Sequence, residues 1–125
     1  MAQISKNLLL FLSIVAMVAA CEKYTYIIEP PDTETPVSYS EEIQPIFEAK
    51  CVRCHSGTLA PDLRSENSYK ALSEGGYLSL PVENSRLWKE GIASASHISY
   101  TSQAEKDKIY AWLFQGAQDT IKITN

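Results

Sequence analysis

The sequence predicts an all-α fold of three to four short helices joined by long, irregular loops. Three observations carry that expectation. Ser102-Gln103-Ala104-Glu105 has the form of a capping box, in which the serine hydroxyl and the glutamate each satisfy an orphan backbone N–H at a helix start. Ile109, Trp112, Leu113 and Gly116 follow at i, i+3, i+4 and i+7, the spacing of one helical face. The chain shows none of the strand–helix alternation of a βαβ unit.

The first twenty residues stand apart from this fold. Lys6 provides a positive start, and Leu8 to Ala20 is an apolar run of thirteen residues, too short and wrongly flanked to span a bilayer. The run closes on Val18-Ala19-Ala20-Cys21. That tetrapeptide resembles the lipobox of bacterial lipoproteins, where the signal is cleaved before the cysteine and the cysteine is acylated. The resemblance implies a signal peptide over 1–20, a lipid bilayer held through acylated Cys21, and a place in the cell envelope facing the periplasm or the outer surface. The plainer alternative is an ordinary secretory signal with a cysteine just past its cleavage site.

Residues 21–37 read as a tether, because Pro30, Pro31 and Pro36 lie among threonines and acidic residues. Tyr24, Tyr26, Ile27 and Ile28 leave a short packed strand or patch as the other option. The domain itself is expected over 38–120, with a tail over 121–125. A first helix is expected from about Ser40 to Lys50, capped by Ser38 or Ser40, with Glu41 and Glu42 at its positive end. Tyr39, Ile43, Ile46 or Phe47, and Lys50 fall near one face. Pro45 removes a backbone donor and should kink or shorten the first turn. A second helix is expected from about Asn67 to Glu74, with Tyr69 and Leu72 on one side and Gly75-Gly76 as its stop. A third is expected from Glu83 to about Glu90, burying Leu87 or Trp88. The last follows the capping box, and Gly116 either ends it or admits a close neighbour.

The chain length of 125 residues allows one domain, and 45% hydrophobic with 21% charged residues is an ordinary globular balance. All fifteen acidic residues lie at or beyond Glu22, and cleavage before Cys21 would remove Lys6. Ten basic residues then face fifteen acidic ones, a net charge of −5. That balance argues against a nucleic-acid partner. With Cys21 as anchor, the three cysteines resolve into one lipid site and one pair, Cys51 and Cys54.

The pair sits in Cys51-Val52-Arg53-Cys54-His55, a C-x-x-C-H sequence, which is the attachment pattern for c-type haem. Two thiols spaced by two residues can reach the two vinyl groups of one porphyrin edge, and the next residue then brings its imidazole to the iron. Three other readings use the same residues. A redox dithiol uses C-x-x-C, normally after a strand. A zinc site can take Cys51, Cys54 and His97 with His55 or a carboxylate. A plain disulfide is the third.

The stretch Tyr39-Ser40-Glu41-Glu42-Ile43-Gln44-Pro45-Ile46-Phe47 leading into Cys51–His55, and the ending Lys108-Ile109-Tyr110-Ala111-Trp112-Leu113 with Gln115-Gly116-Ala117, together resemble the small class I cytochrome c domains of exported bacterial lipoproteins. The resemblance covers about residues 38–118. It implies a class I cytochrome c-like fold whose first and last helices cross beside the edge of one covalently bound haem c. Ala60-Pro61-Asp62-Leu63 resembles the family's G-P-x-L loop, whose proline carbonyl accepts a hydrogen bond from the proximal histidine. This implies that Pro61 orients His55. Alanine stands where the family has glycine, and an ordinary loop proline is the other reading.

The departure from the family lies at the sixth ligand. Class I cytochromes supply a methionine shortly before the last helix, but the only methionines here are Met1 and Met17, both in the signal. His97, in Ser94-Ala95-Ser96-His97-Ile98-Ser99-Tyr100, is the only histidine besides His55 and occupies the segment where that methionine would sit. The expected ligand pair is therefore His55 and His97, which closes the iron and leaves one-electron transfer with a redox partner protein, rather than catalysis, as the activity. Imidazole in place of methionine lowers the potential. The competing reading leaves His97 in a loop and the sixth site open, as in a haem-binding sensor or a peroxidase-like module. A reading from another class is a haem-free, zinc-stabilised interaction domain. Arg53, Arg64 and Arg86 read as surface charges, and Tyr69, Tyr77, Leu87, Trp88, Ile92 and Tyr100 as candidate pocket linings.

Overall fold

A computed structural model describes residues 30–119, and among them it contains helices and turns with no strand. The all-α expectation holds. The signal peptide, Cys21, the residues up to 29 and the tail over 121–125 lie outside the described residues.

A π-helical turn, Tyr39–Ile43, leads into helix α1, Gln44–Lys50. Ser38 is the cap: its hydroxyl accepts from Glu41 N at 3.3 Å, while Ser38 N donates to Glu42 Oε2 at 2.9 Å. The single helix expected over about 40–50 is thus split. Pro45 sits in the first turn of α1, where an α-helical bond back to Glu41 would need the N–H that proline lacks. The chain widens ahead of it, with Ile43 N donating five residues back to Ser38 O at 3.3 Å, and α1 begins as a fresh start.

Helix α2, Ser68–Glu74, stops at the two glycines, with Gly76 at φ +71° and Tyr77 N donating to Leu72 O at 3.1 Å. The third expected helix becomes two short pieces, a 3₁₀ turn Val82–Asn84 and a π-helical turn Leu87–Ile92. Ser85 separates them: it is fully buried and extended, and its hydroxyl donates to Tyr77 O at 2.7 Å. Helix α3, Gln103–Phe114, starts at the expected capping box, with Ser102 N donating to Glu105 Oε2 at 2.7 Å and Glu105 N to Ser102 Oγ at 3.3 Å. It ends at Gly116, φ +91°, where Ala117 N donates to Trp112 O at 2.9 Å and Gly116 N to Leu113 O at 3.0 Å. This paired closure needs a left-handed residue, which glycine supplies without steric cost.

The first and last helical segments share the core. Ile43, Phe47, Ile109, Trp112 and Leu113 are all buried in one cluster, and the Tyr39 ring lies 5.1 Å from Trp112, centroid to centroid. Glu42 pairs with Lys108 at 3.0 Å and Lys50 with Glu105 at 3.8 Å. These contacts are solvent-exposed enough to add little stability. A buried polar knot ties α2 to α1: Tyr39 OH reaches Ser68 Oγ at 2.7 Å, the Ser68 hydroxyl donates to Gln44 Oε1, and Gln44 Nε2 donates to Leu63 O at 3.1 Å. Burial pushes the Tyr39 phenol up to about 12, so it stays a donor. Part of the expected tether is pinned to the end of α3, with Val37 N donating to Gln115 Oε1 at 3.0 Å and Gln115 Nε2 donating to Thr35 O at 2.7 Å.

Candidate functional site

The end of α1 runs straight into the cysteine pair. Cys51 N donates to Phe47 O at 2.8 Å, and His55 N donates to Cys51 O at 2.9 Å, so one helical turn carries Cys51, Cys54 and His55 together. From His55 the chain loops to Leu63, whose N–H returns to His55 O at 2.8 Å. That closure brings Pro61 back onto the histidine, with its carbonyl oxygen 3.1 Å from His55 Nδ1. A carbonyl can only accept, so Nδ1 donates, which in the neutral ring leaves the lone pair on Nε2. The loop exit is fixed by Asp62, which accepts from Arg64 Nη2 at 2.6 Å and Asn67 Nδ2 at 2.8 Å. The hydrogen bond and charge of Arg64 hold the Asp62 carboxyl below the usual carboxylate range.

A cavity of about 450 Å³ opens beside this turn, within the usual size range of small-molecule and cofactor sites. Its walls include Phe47, Cys51, Cys54, His55, Pro61 and Leu63 from the first part of the chain, and Leu87, Ile92, His97, Tyr100 and Thr101 from the second. Of the expected pocket linings, Tyr77, Leu87, Ile92 and Tyr100 are there. Tyr69 instead packs on Tyr39, and Trp88 on Tyr110, each at 5.1 Å between centroids. Arg86, expected as a plain surface charge, lines the cavity with its guanidinium 4.5 Å from the centre of the Tyr77 ring. Arg53 is exposed, and Arg64 is engaged with Asp62.

His55 and His97 come together at this cavity, with ring centroids 6.4 Å apart and ring planes inclined by 45°. Imidazole nitrogens bond a transition metal at about 2.0–2.1 Å, which with half a ring on each side puts two in-line imidazoles on one ion about 6.3 Å apart, centroid to centroid. The observed spacing matches that value. The Nδ1 of His97 lies 3.0 Å from Ser94 Oγ and 2.9 Å from Ser96 Oγ. Among the described residues neither Nε2 has a hydrogen-bond partner, so each is the nitrogen left for a ligand. No group of three or more His, Cys, Asp and Glu side chains is arranged to hold a metal ion among the described residues.

Two further features concern what the cavity suits. Both thiols are free, and burial pushes Cys51 up to about 11, reinforced by the nearby Glu105 charge and Cys54. Redox-active dithiols show the opposite shift. Thr101 holds a buried hydroxyl with no hydrogen-bond partner among the described residues, a cost of about 1–3 kcal/mol unless something polar meets it. Leu59 and Tyr100, both at the cavity, are more than half exposed. Sequence reasoning passed over Phe47 as a wall residue, Thr101, and the serines beside His97. The serines' position one and three residues before the histidine was the available signal.

Comparison with protein-family models, with curated proteins and with solved structures found no match for this chain.

Proposed function

We propose that this chain is a lipid-anchored c-type cytochrome that performs one-electron transfer through a single haem attached at Cys51 and Cys54, with His55 and His97 as the two protein ligands of its iron. The observation that carries the reading is the pair of imidazoles set 6.4 Å apart at a cavity that also holds both cysteines of C-x-x-C-H. The donor set fits haem and fits zinc poorly. Two imidazoles with no third His, Cys, Asp or Glu grouped beside them among the described residues would suit an iron held by a porphyrin better than a zinc ion that needs four protein donors. A neutral thioether suits the buried position where a Cys51 thiolate is disfavoured.

Bound in this cavity, haem supplies a single iron-centred electron that can be gained and lost reversibly. The protein's part is positional. Pro61 holds the proton on His55 Nδ1, which fixes the ring's tautomer and rotation. Phe47, Leu63, Leu87 and Ile92 keep the cavity wall apolar and limit water. A second imidazole from His97 would close the iron, which favours electron transfer over the open-site sensor or peroxidase-like reading. Acylated Cys21 would keep the domain at a membrane face of the cell envelope, where it meets a redox partner protein.

The test is an optical spectrum of protein exported alongside the haem-attachment machinery. A c-type spectrum that survives denaturation and acid extraction is expected, with a low-spin reduced form that binds carbon monoxide far more weakly than His97→Ala does. His97→Ala should convert the reduced form to a high-spin, CO-reactive one, and an unchanged spectrum removes His97 from the iron. A colourless wild-type protein removes the haem reading altogether.

A further inference from the structure

The two histidines are held by different chemistry at Nδ1. His55 faces one carbonyl oxygen, which allows a single proton arrangement. His97 faces two hydroxyls, and those hydroxyls are 3.1 Å from each other. A hydroxyl both donates and accepts, so the arrangement depends on where the serine protons go. Ser94 Oγ lies 3.4 Å from Gly91 O, which only accepts. Ser94 can place its proton there, and Ser96 can place its own on Ser94 Oγ. Both oxygens then turn lone pairs toward the ring, and Nδ1 donates. In the reverse arrangement a serine donates to Nδ1, the ring proton moves to Nε2, and no lone pair is left for a metal.

We infer that Ser94 and Ser96 are positioning residues whose oxygens accept the hydrogen bond from Nδ1–H of His97, keeping the proton on Nδ1 and so presenting Nε2 as the sixth ligand; this rests on the haem reading above. The backbone supports the same placement, since Ser94 O accepts from His97 N at 3.0 Å and from Ile98 N at 2.9 Å. That turn sets the histidine above its own serines. The hydroxyl pair is the less restrictive of the two supports, which makes His97 the ligand more easily displaced.

The experiment measures carbon monoxide affinity of the reduced, haem-loaded full chain, with the low-spin signal of the oxidised form as a second readout. Ser94→Ala/Ser96→Ala should raise the apparent CO affinity tenfold or more, in line with the ~10–100-fold effect of losing a ligand's outer hydrogen-bond partner. Each single alanine variant should give a smaller rise, and Ser94→Thr/Ser96→Thr, which keeps both hydroxyls, should stay near wild type. Wild-type CO affinity in both single variants and in the double variant, with His97→Ala strongly CO-reactive, overturns the serine role and leaves haem and His97 ligation standing. A wild-type protein as CO-reactive as His97→Ala, or one without haem, overturns the serine role together with the ligation it rests on.

Discussion

The two histidine-bearing segments meet at one cavity from unequal foundations. His55 follows a π-helical turn and helix α1 whose Ile43 and Phe47, respectively, are completely buried, and its own loop is tied back by Leu63 N and Pro61 O. His97 sits in a turn between two helical pieces, flanked by Ile98 and Tyr100, which are 51% and 59% exposed. The first segment is built by the protein core. The second is built largely by local hydrogen bonds and leaves Ile98 and Tyr100 exposed, Tyr100 at the cavity. One side of the site is therefore held by buried core contacts, and the other mainly by local hydrogen bonds; on the proposed reading, a bound haem would complete the second.

The sharpest way to break that contrast is to remove the covalent side. Cys51→Ala/Cys54→Ala should lose haem attachment entirely, so that acid extraction strips all colour from the protein, whereas wild type keeps it. Next in size is a pair of truncations across the cavity. Phe47→Ala should cost about 3–5 kcal/mol of unfolding free energy, because the side chain is fully buried. Tyr100→Ala, at an exposed position, should stay within about 0.5 kcal/mol in haem-free protein. Denaturant unfolding followed by circular dichroism separates the two, and equal losses would abolish the distinction between a preformed wall and a completed one.

Ser102→Ala removes the cap just after the distal segment and should cost about 1 kcal/mol, measured the same way. The smallest expected effect is acid sensitivity. Glu42 lies below the ordinary glutamate value, first through the Ser38 backbone hydrogen bond and then through Lys108; Glu105 is lowered first by the Ser102 backbone. Both carboxyls bind protons less readily folded than unfolded, so their contribution is full at neutral pH and fades as pH falls below about 4.5. Glu42→Gln and Glu105→Gln should each flatten the acid limb of the stability curve slightly, and an unchanged limb would assign acid sensitivity elsewhere.

Legibility followed the same divide. The start of α3 could be read directly, because Ser102 and Glu105 satisfy each other within four residues and need nothing distant. Gly116 reads in the sequence as either the stop or a site of close approach, and the closing hydrogen bonds of Ala117 and Gly116 make it the stop. The two pieces over 82–92 were not legible, since Ser85 is drawn out of helix by the carbonyl of Tyr77, a contact that periodicity does not reveal. The split at Pro45 was half visible: a kink was expected, but the widened turn before it depends on Ser38 O accepting from both Glu42 and Ile43. At the site, C-x-x-C-H and the lone second histidine pointed to the residues that the cavity gathers. Leu59 and Thr101 escaped notice because a long-range fold, rather than their neighbours in sequence, decides that they line it.

The central claim is that the two thiols of Cys51 and Cys54 carry one haem. An intact-mass measurement on denatured, wild-type protein exported with haem-attachment machinery tests it most directly. The expected result is protein heavier by one haem than the processed, acylated Cys51→Ala/Cys54→Ala variant, after allowance for the two substitutions. Wild-type protein without that increment, or lighter only by the two hydrogens of a Cys51–Cys54 disulfide, would contradict it.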